Sequence, residues 1–182
     1  MIDKKDISSN MPSASKNKGN SWERDVAKHL TELYGETFIR APGSGAYIGA
    51  KNAHRKQYLH EGQIRSFKGD IIPGESFPKL NIECKAYKDF PFHQLFQGTV
   101  KQLESWLDQL MSVADQNDYN ILIMKFNRKG KFVAVEFDRH TDEPLFVERH
   151  FLYQSEKHGR WAIMDYDNFW ALNKDTVASL AF

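Results

Sequence analysis

A chain of 182 residues suits one domain with enough length to bury a core. Lys and Arg number 25 and Asp and Glu 24, so the net charge of +1 names no partner by itself. One cysteine, Cys84, excludes an internal disulfide and predicts a reducing, cytoplasmic compartment; no apolar run reaches the ~18 residues of a membrane helix, and the polar opening residues do not predict a secretory signal.

Residues 1–17 are rich in Ser, Asn and Lys and predict a disordered tail, with a single domain over 18–182. Trp22, Val26, Leu30 and Leu33 recur at helical spacing and predict a first helix from about Asn20 to Tyr34, capped by Asn20 or Ser21 and ended by Gly35. Phe38-Ile39-Arg40 reads as a short strand, followed by the breaker cluster Ala41-Pro42-Gly43-Ser44-Gly45. From Arg40 to Gly69, six basic residues (Arg40, Lys51, Arg55, Lys56, Arg65 and Lys68) stand against one acid, Glu61. Such a segment is either a phosphate-binding surface or a solvated loop. Gly69 to Ile72 reads as a strand, Pro73 to Pro78 as a turn, and Leu80 to Ala86 as the clearest strand of the chain. Leu80, Ile82, Cys84 and Ala86 leave one face of it, and Asn81, Glu83 and Lys85 the other. A second amphipathic helix is expected over 93–113. Apolar strands are expected over Tyr119–Phe126 and Lys131–Phe137, joined by a turn at 127–130. Further strands near Leu145–Tyr153 and Arg160–Met164 precede a last helix from about Asp167. This order is that of an α/β or α+β layer fold.

Glu83 and Lys85 share the polar face of their strand, an arrangement common on any protein surface. Asp70 changes its meaning. In an antiparallel hairpin across the turn, the register that sets Asp70 opposite Glu83 also sets Ile72 opposite Asn81. Opposed residues share a face with Cβ atoms ~5 Å apart. Two carboxylates so placed repel each other unless a cation sits between them, and they offer the hard oxygen ligands that Mg²⁺ prefers. A cation there can stabilise charge on a phosphate and activate a water, with Lys85 beside it. The alternative is a hairpin with a charged outer face.

Asp70 followed by Glu83-Cys84-Lys85 resembles the PD-(D/E)XK nuclease motif, with Gly69 in place of the usual Pro. Lys18-Gly19-Asn20-Ser21-Trp22-Glu23-Arg24 and Arg40-Ala41-Pro42-Gly43-Ser44-Gly45 resemble segments of archaeal-type Holliday-junction resolvases, in the same order. The likeness covers about residues 18–110. The longer basic insertion and the extended C-terminal part depart from that family's compact pattern. The resemblance implies a restriction-endonuclease-like central mixed sheet flanked by helices. It implies catalytic roles for Glu23, Ser44, Asp70, Glu83 and Lys85, and metal binding by Asp70, Glu83 and the Cys84 carbonyl. Arg40 would then pair with a phosphate, alongside Lys51, Arg55, Lys56, Arg65 and Lys68. Each also has a plainer role: Glu23 as a first-turn acid, Ser44 as a turn residue, Arg40 as an exposed strand end.

The expectation is a DNA endonuclease using Mg²⁺, with Mn²⁺ able to substitute, acting on branched DNA as in recombination and repair, as a homodimer and without a membrane partner. The apolar strand Tyr119–Phe126 is the expected dimer interface. An exonuclease or restriction-type enzyme on duplex DNA, an inactive DNA-binding module and a merely decorative charged hairpin are the alternatives. Gln97, Gln102 and His93 are weaker candidates near the site.

Overall fold

The computed structural model describes residues 14–42, 50–138 and 149–182, with backbone only at 14–18, 50, 51, 53 and 61. Helix α1 spans Ala14–Tyr34. It starts earlier than its apolar stripe, so residues 14–17 of the expected tail are helical; the rest of that tail lies outside the described residues. Trp22, Val26 and Leu30 are buried along one side, as a 3.6-residue period requires. Gly35, at φ 71°, ends the helix, and its N–H donates to the Thr31 carbonyl at 2.9 Å. Strand β1 (Ile39–Arg40) pairs antiparallel with β2 (Ile71–Ile72). Between them lie a 3-10 segment, Ala50–Tyr58, and α2, Glu61–Phe67.

The main sheet has five strands: β3 (Leu80–Tyr87), β4 (Tyr119–Phe126), β5 (Gly130–Glu136), β6 (His150–Gln154) and β7 (Arg160–Asp165). Their order is β3-β4-β5-β7-β6. β3 and β4 run parallel, and every other pair is antiparallel. A parallel pair needs a long crossover, which α3 (Lys101–Met111) supplies. The helix expected over 93–113 is in fact a 3-10 turn, Phe92–Phe96, followed by α3. Gly98 separates them at φ 135°, a conformation no helix contains. Helix α4, Tyr166–Ala181, is capped by Asp165, whose carboxylate accepts from the Asn168 N–H at 3.0 Å.

Two apolar layers hold the sheet. Ile82, Cys84, Ile121, Ile123 and Val133 pack with Val26 and Leu30 of α1 and Phe169 and Trp170 of α4. Leu122, Met124, Ala134 and Trp161 pack with Leu103, Trp106 and Leu107 of α3. This explains β4: its continuous apolar run marks a strand covered on both faces. The expectation that Tyr119–Phe126 forms a dimer interface is therefore corrected, because the strand lies inside the sheet and is buried. A mixed sheet flanked by helices is the restriction-endonuclease-like α+β arrangement. Among the described residues, no helix is long and apolar enough to cross a membrane.

Candidate active site

The site forms at the outer edge of β3. Asp70 reaches it by a route other than the expected hairpin, since β2 pairs with β1 rather than with β3. The Asp70 N–H donates to the Ile82 carbonyl at 2.7 Å, and the Asp70 carbonyl accepts from the Ala41 N–H at 2.8 Å. Its carboxylate accepts from the Cys84 N–H at 2.8 Å, so one side chain bonds the open edge of β3. In a strand the N–H and C=O of one residue leave on the same side, so the Cys84 carbonyl points to this edge as well. Gly69 explains the missing proline. Its φ is 66°, and a Cβ there would stand 2.4 Å from the Ile82 carbonyl oxygen; proline, locked near −65°, cannot adopt that turn.

Asn81 and Glu83 are not on a solvated face. Asn81 donates to the Leu110 carbonyl at 3.2 Å and to Asn120 Oδ1 at 2.8 Å, tying α3 over the parallel pair. Glu83 is 1% exposed. Burial, then the nearby Asp70 carboxylate, pushes the Glu83 carboxyl up to about 8, against the opposing pull of Lys85. Lys85 Nζ lies 2.5 Å from Glu83 Oε1 and 2.7 Å from Gln109 Oε1. The Lys85 ammonium thus pairs with Glu83, beside the Asp70 carboxylate.

Glu23 of α1 belongs to the same electrostatic cluster. Its carboxyl is raised by burial first and by Asp70 second, while Arg40 and Lys85 oppose the rise. Arg40 pairs with Glu23 through Nε and donates from Nη2 to Asn20 Oδ1 at 2.8 Å. The structure therefore gives Arg40 a positioning contact on Glu23. Gln109 and Asn20 were missed in the sequence. Gln109 lies seven residues after the candidate Gln102, hence on the same helix side about 10.5 Å further along; only the docking of α3 selects between them. Gln102 and His93 instead line a separate pocket with Asp89 and Lys129, and Gln97 is exposed.

The basic segment divides in the structure. Lys68 is buried, with Nζ 2.8 Å from Asp115 Oδ2 and 2.6 Å from Asp118 Oδ2. Lys56 Nζ binds Asp115 Oδ1 at 3.0 Å and the Val113 carbonyl at 2.8 Å. Arg65 donates to the Gly74 carbonyl at 2.8 Å. These three cations hold the insertion against the α3–β4 connection and the turn after β2. Of the six residues expected to contact phosphate, Lys56, Arg65 and Lys68 thus have partners within the chain. The side chain of Lys51 and all of Ser44 lie outside the described residues. The Cys84 thiol is buried and pushed well above its usual range, first by burial and then by Asp70, which suits a core residue rather than a nucleophile.

A buried acid pair with a lysine thus stands at the outer edge of the sheet, and comparison with known proteins adds a family. The family model described as "Phage putative PDDEXK endonuclease" matches residues 14–179. Protein D14 of Escherichia phage T5 is 30% identical over 143 residues, covering 76% of this chain and 81% of that protein. No solved structure matches the chain significantly. The matched span takes in α1, the whole main sheet and nearly all of α4, so the chain belongs to this phage family of PD-(D/E)XK endonucleases.

Proposed function

We propose that the protein is a Mg²⁺-dependent DNA endonuclease whose site is Asp70, Glu83 and Lys85, assisted by Glu23. The observation that carries this reading is the Asp70–Glu83 pair: two adjacent buried carboxylates, one pushed up to about 8, with the Lys85 ammonium paired to Glu83. Such a pair favours a divalent cation. Among the described residues no three His, Cys, Asp or Glu converge as a cage, and Mg²⁺ commonly takes one or two carboxylates and keeps several waters. Mn²⁺ fits the same oxygens. Asp70 and Glu83 would hold the ion, with the Cys84 carbonyl as a further oxygen. A bound Mg²⁺ supplies Lewis-acid stabilisation of the charge that develops on the phosphate.

The chain's own residues do the rest. Lys85, held by Gln109, orients the attacking water and offsets negative charge at the phosphate. Arg40 holds Glu23 close to Asp70, and burial with the Asp70 charge raises its carboxyl above the usual carboxylate range. The oxygen of water bonds to phosphorus and gives up its proton, and the leaving ester oxygen departs with the P–O electron pair and takes up a proton from solvent, giving a phosphomonoester and an alcohol. Lys51 and Arg55 of the insertion take up backbone phosphates, and the resemblance to junction resolvases assigns Ser44 to the scissile one.

The finer substrate reading is branched DNA. It rests on the order Glu23, Arg40, Ser44, Asp70, Glu83, Lys85, which resembles that of junction resolvases. The test is cleavage of four-way junction, nicked, flapped, single-stranded and linear duplex DNA with Mg²⁺, Mn²⁺ or EDTA. Metal-dependent internal incision with preference for the junction is the expected result. Digestion of linear duplex from its ends at an equal rate would reject the branched-DNA reading, and equal cleavage in EDTA would reject the metal site.

A further inference from the structure

The two edges of the main sheet differ. The outer side of β3 is occupied by Asp70, which bonds Ile82 and Cys84. Among the described residues, no strand pairs with the outer side of β6. Natural edges are usually blunted by Lys, Pro, inward charges or bulges. β6, His150-Phe151-Leu152-Tyr153-Gln154, carries no Lys, Arg, Asp, Glu or Pro.

A groove of about 400 Å³ runs beside it, lined by Leu95, Gly98 and Thr99 and by the unbroken run Phe151 to Glu156. Successive strand residues point to opposite faces. A groove lined by consecutive residues therefore follows the strand's edge rather than lying over a face. Exposed apolar side chains gather at the same place. Phe96 is 80% exposed and packs edge-on against Phe151, with ring centroids 4.9 Å apart. Phe137 stacks on His150 at 6.1 Å, and Leu152 is exposed on the strand itself. Clustered exposed apolar groups mark an interaction surface.

We propose that β6 is a self-pairing edge through which two copies of this chain form an antiparallel, two-fold dimer with one continuous ten-stranded sheet. Self-complementarity identifies the occupant. In antiparallel pairing, opposed residues must share a face and a hydrogen-bonding side, so a two-fold axis passes through a residue and not between two. The central residue of β6 is Leu152. An axis there sets Leu152 against its own copy, Phe151 against Tyr153 and His150 against Gln154. One face gains a Leu–Leu contact and the other two aromatic pairs, and no charged side chain is buried. Phe96, on the groove rim, is covered by the added strand. The joined sheet separates the two β3 edges by nine strand spacings of ~4.8 Å, at most ~43 Å. Each candidate site then lies in its own protomer at a far end and borrows nothing from the other, so this inference does not depend on the reading of that site.

The experiment is the mass of the full chain by light scattering and sedimentation across micromolar concentrations. The expected mass is twice 21.1 kDa. Leu152→Lys sets two like charges directly opposite each other at the axis, so it should yield the monomer mass with an unchanged circular dichroism spectrum and a melting temperature that no longer rises with protein concentration. Leu172→Lys makes the same change on an exposed position of α4 and should stay dimeric. Nicking per chain should be unchanged in Leu152→Lys, which separates this inference from the nuclease reading. A monomeric parent chain overturns the proposal and leaves the edge to another extended segment. A Leu152→Lys chain that remains dimeric overturns it equally.

Discussion

Lys68 offers the sharpest test of how the basic insertion works. Lys68→Met keeps the length of the aliphatic stem and removes the ammonium. Two carboxylates lose a partner, but not equally. Asp115 is 55% exposed in its side chain, so that leg is screened and worth ~0–1 kcal/mol. Asp118 is 5% exposed and Lys68 8%, so removing the cation strands a buried charge, at a cost of ~3–5 kcal/mol. For a domain of this size each kcal/mol moves the melting temperature by ~2–4 °C, which makes a fall of roughly 10 °C the expected outcome. Adding Asp118→Asn should recover part of it, because the stranded charge is then gone while the amide oxygen can still accept from the Asp115 N–H. The assay is thermal unfolding of the three variants beside the salt dependence of DNA binding. A phosphate contact would instead lower the slope of log K against log salt by about 0.9. A Lys68→Met chain that melts within ~2 °C of the parent and loses that slope would refute the structural assignment.

Asp70→Asn and Glu83→Gln should each abolish cleavage in Mg²⁺ while leaving the fold and DNA binding intact, since several kcal/mol of charge stabilisation go with the cation; normal turnover by both would sink the assignment of the site. Gly69→Ala should destabilise the chain by ~1–3 kcal/mol, because a Cβ meets the Ile82 carbonyl and the backbone sits at positive φ, and cleavage should drop with it as Asp70 shifts; a neutral effect in melting and activity assays would contradict the tight approach. Glu83 makes a pH prediction for the metal-free chain. Its carboxyl is raised from about 4.5 to about 8, so the folded state holds a proton that the unfolded state releases. Stability from this group is full below pH 4.5 and is lost as pH rises through about 8, at up to ~1.4 kcal/mol per pH unit. Melting in EDTA across that window should show the decline in the parent and not in Glu83→Gln.

Periodicity alone determined most of the elements. The stripe of Trp22, Val26 and Leu30, the alternation through Leu80–Ala86 and the apolar run Tyr119–Phe126 each report a local burial pattern, and all three became the elements they predict. The acid pair and lysine were also legible, because chemistry fixes their residue types and short spacing. Tertiary structure decided what those patterns could not encode. A strand buried on both faces and a strand buried against a second copy have the same apolar run, so only the sheet order placed Tyr119–Phe126 in the interior. A charge count cannot distinguish a solvated lysine from one paired with acids about fifty residues away, so the fates of Lys56 and Lys68 awaited the α3–β4 connection. The same holds at the site. Asp70 met Glu83 through a backbone bond to Ile82 and a side-chain bond to Cys84 rather than through a hairpin ladder. Gln109 joined Lys85 because α3 docks over β3 in one rotation. Local sequence sets which side of an element is apolar; which polar groups then meet across elements is set by how those apolar sides pack together.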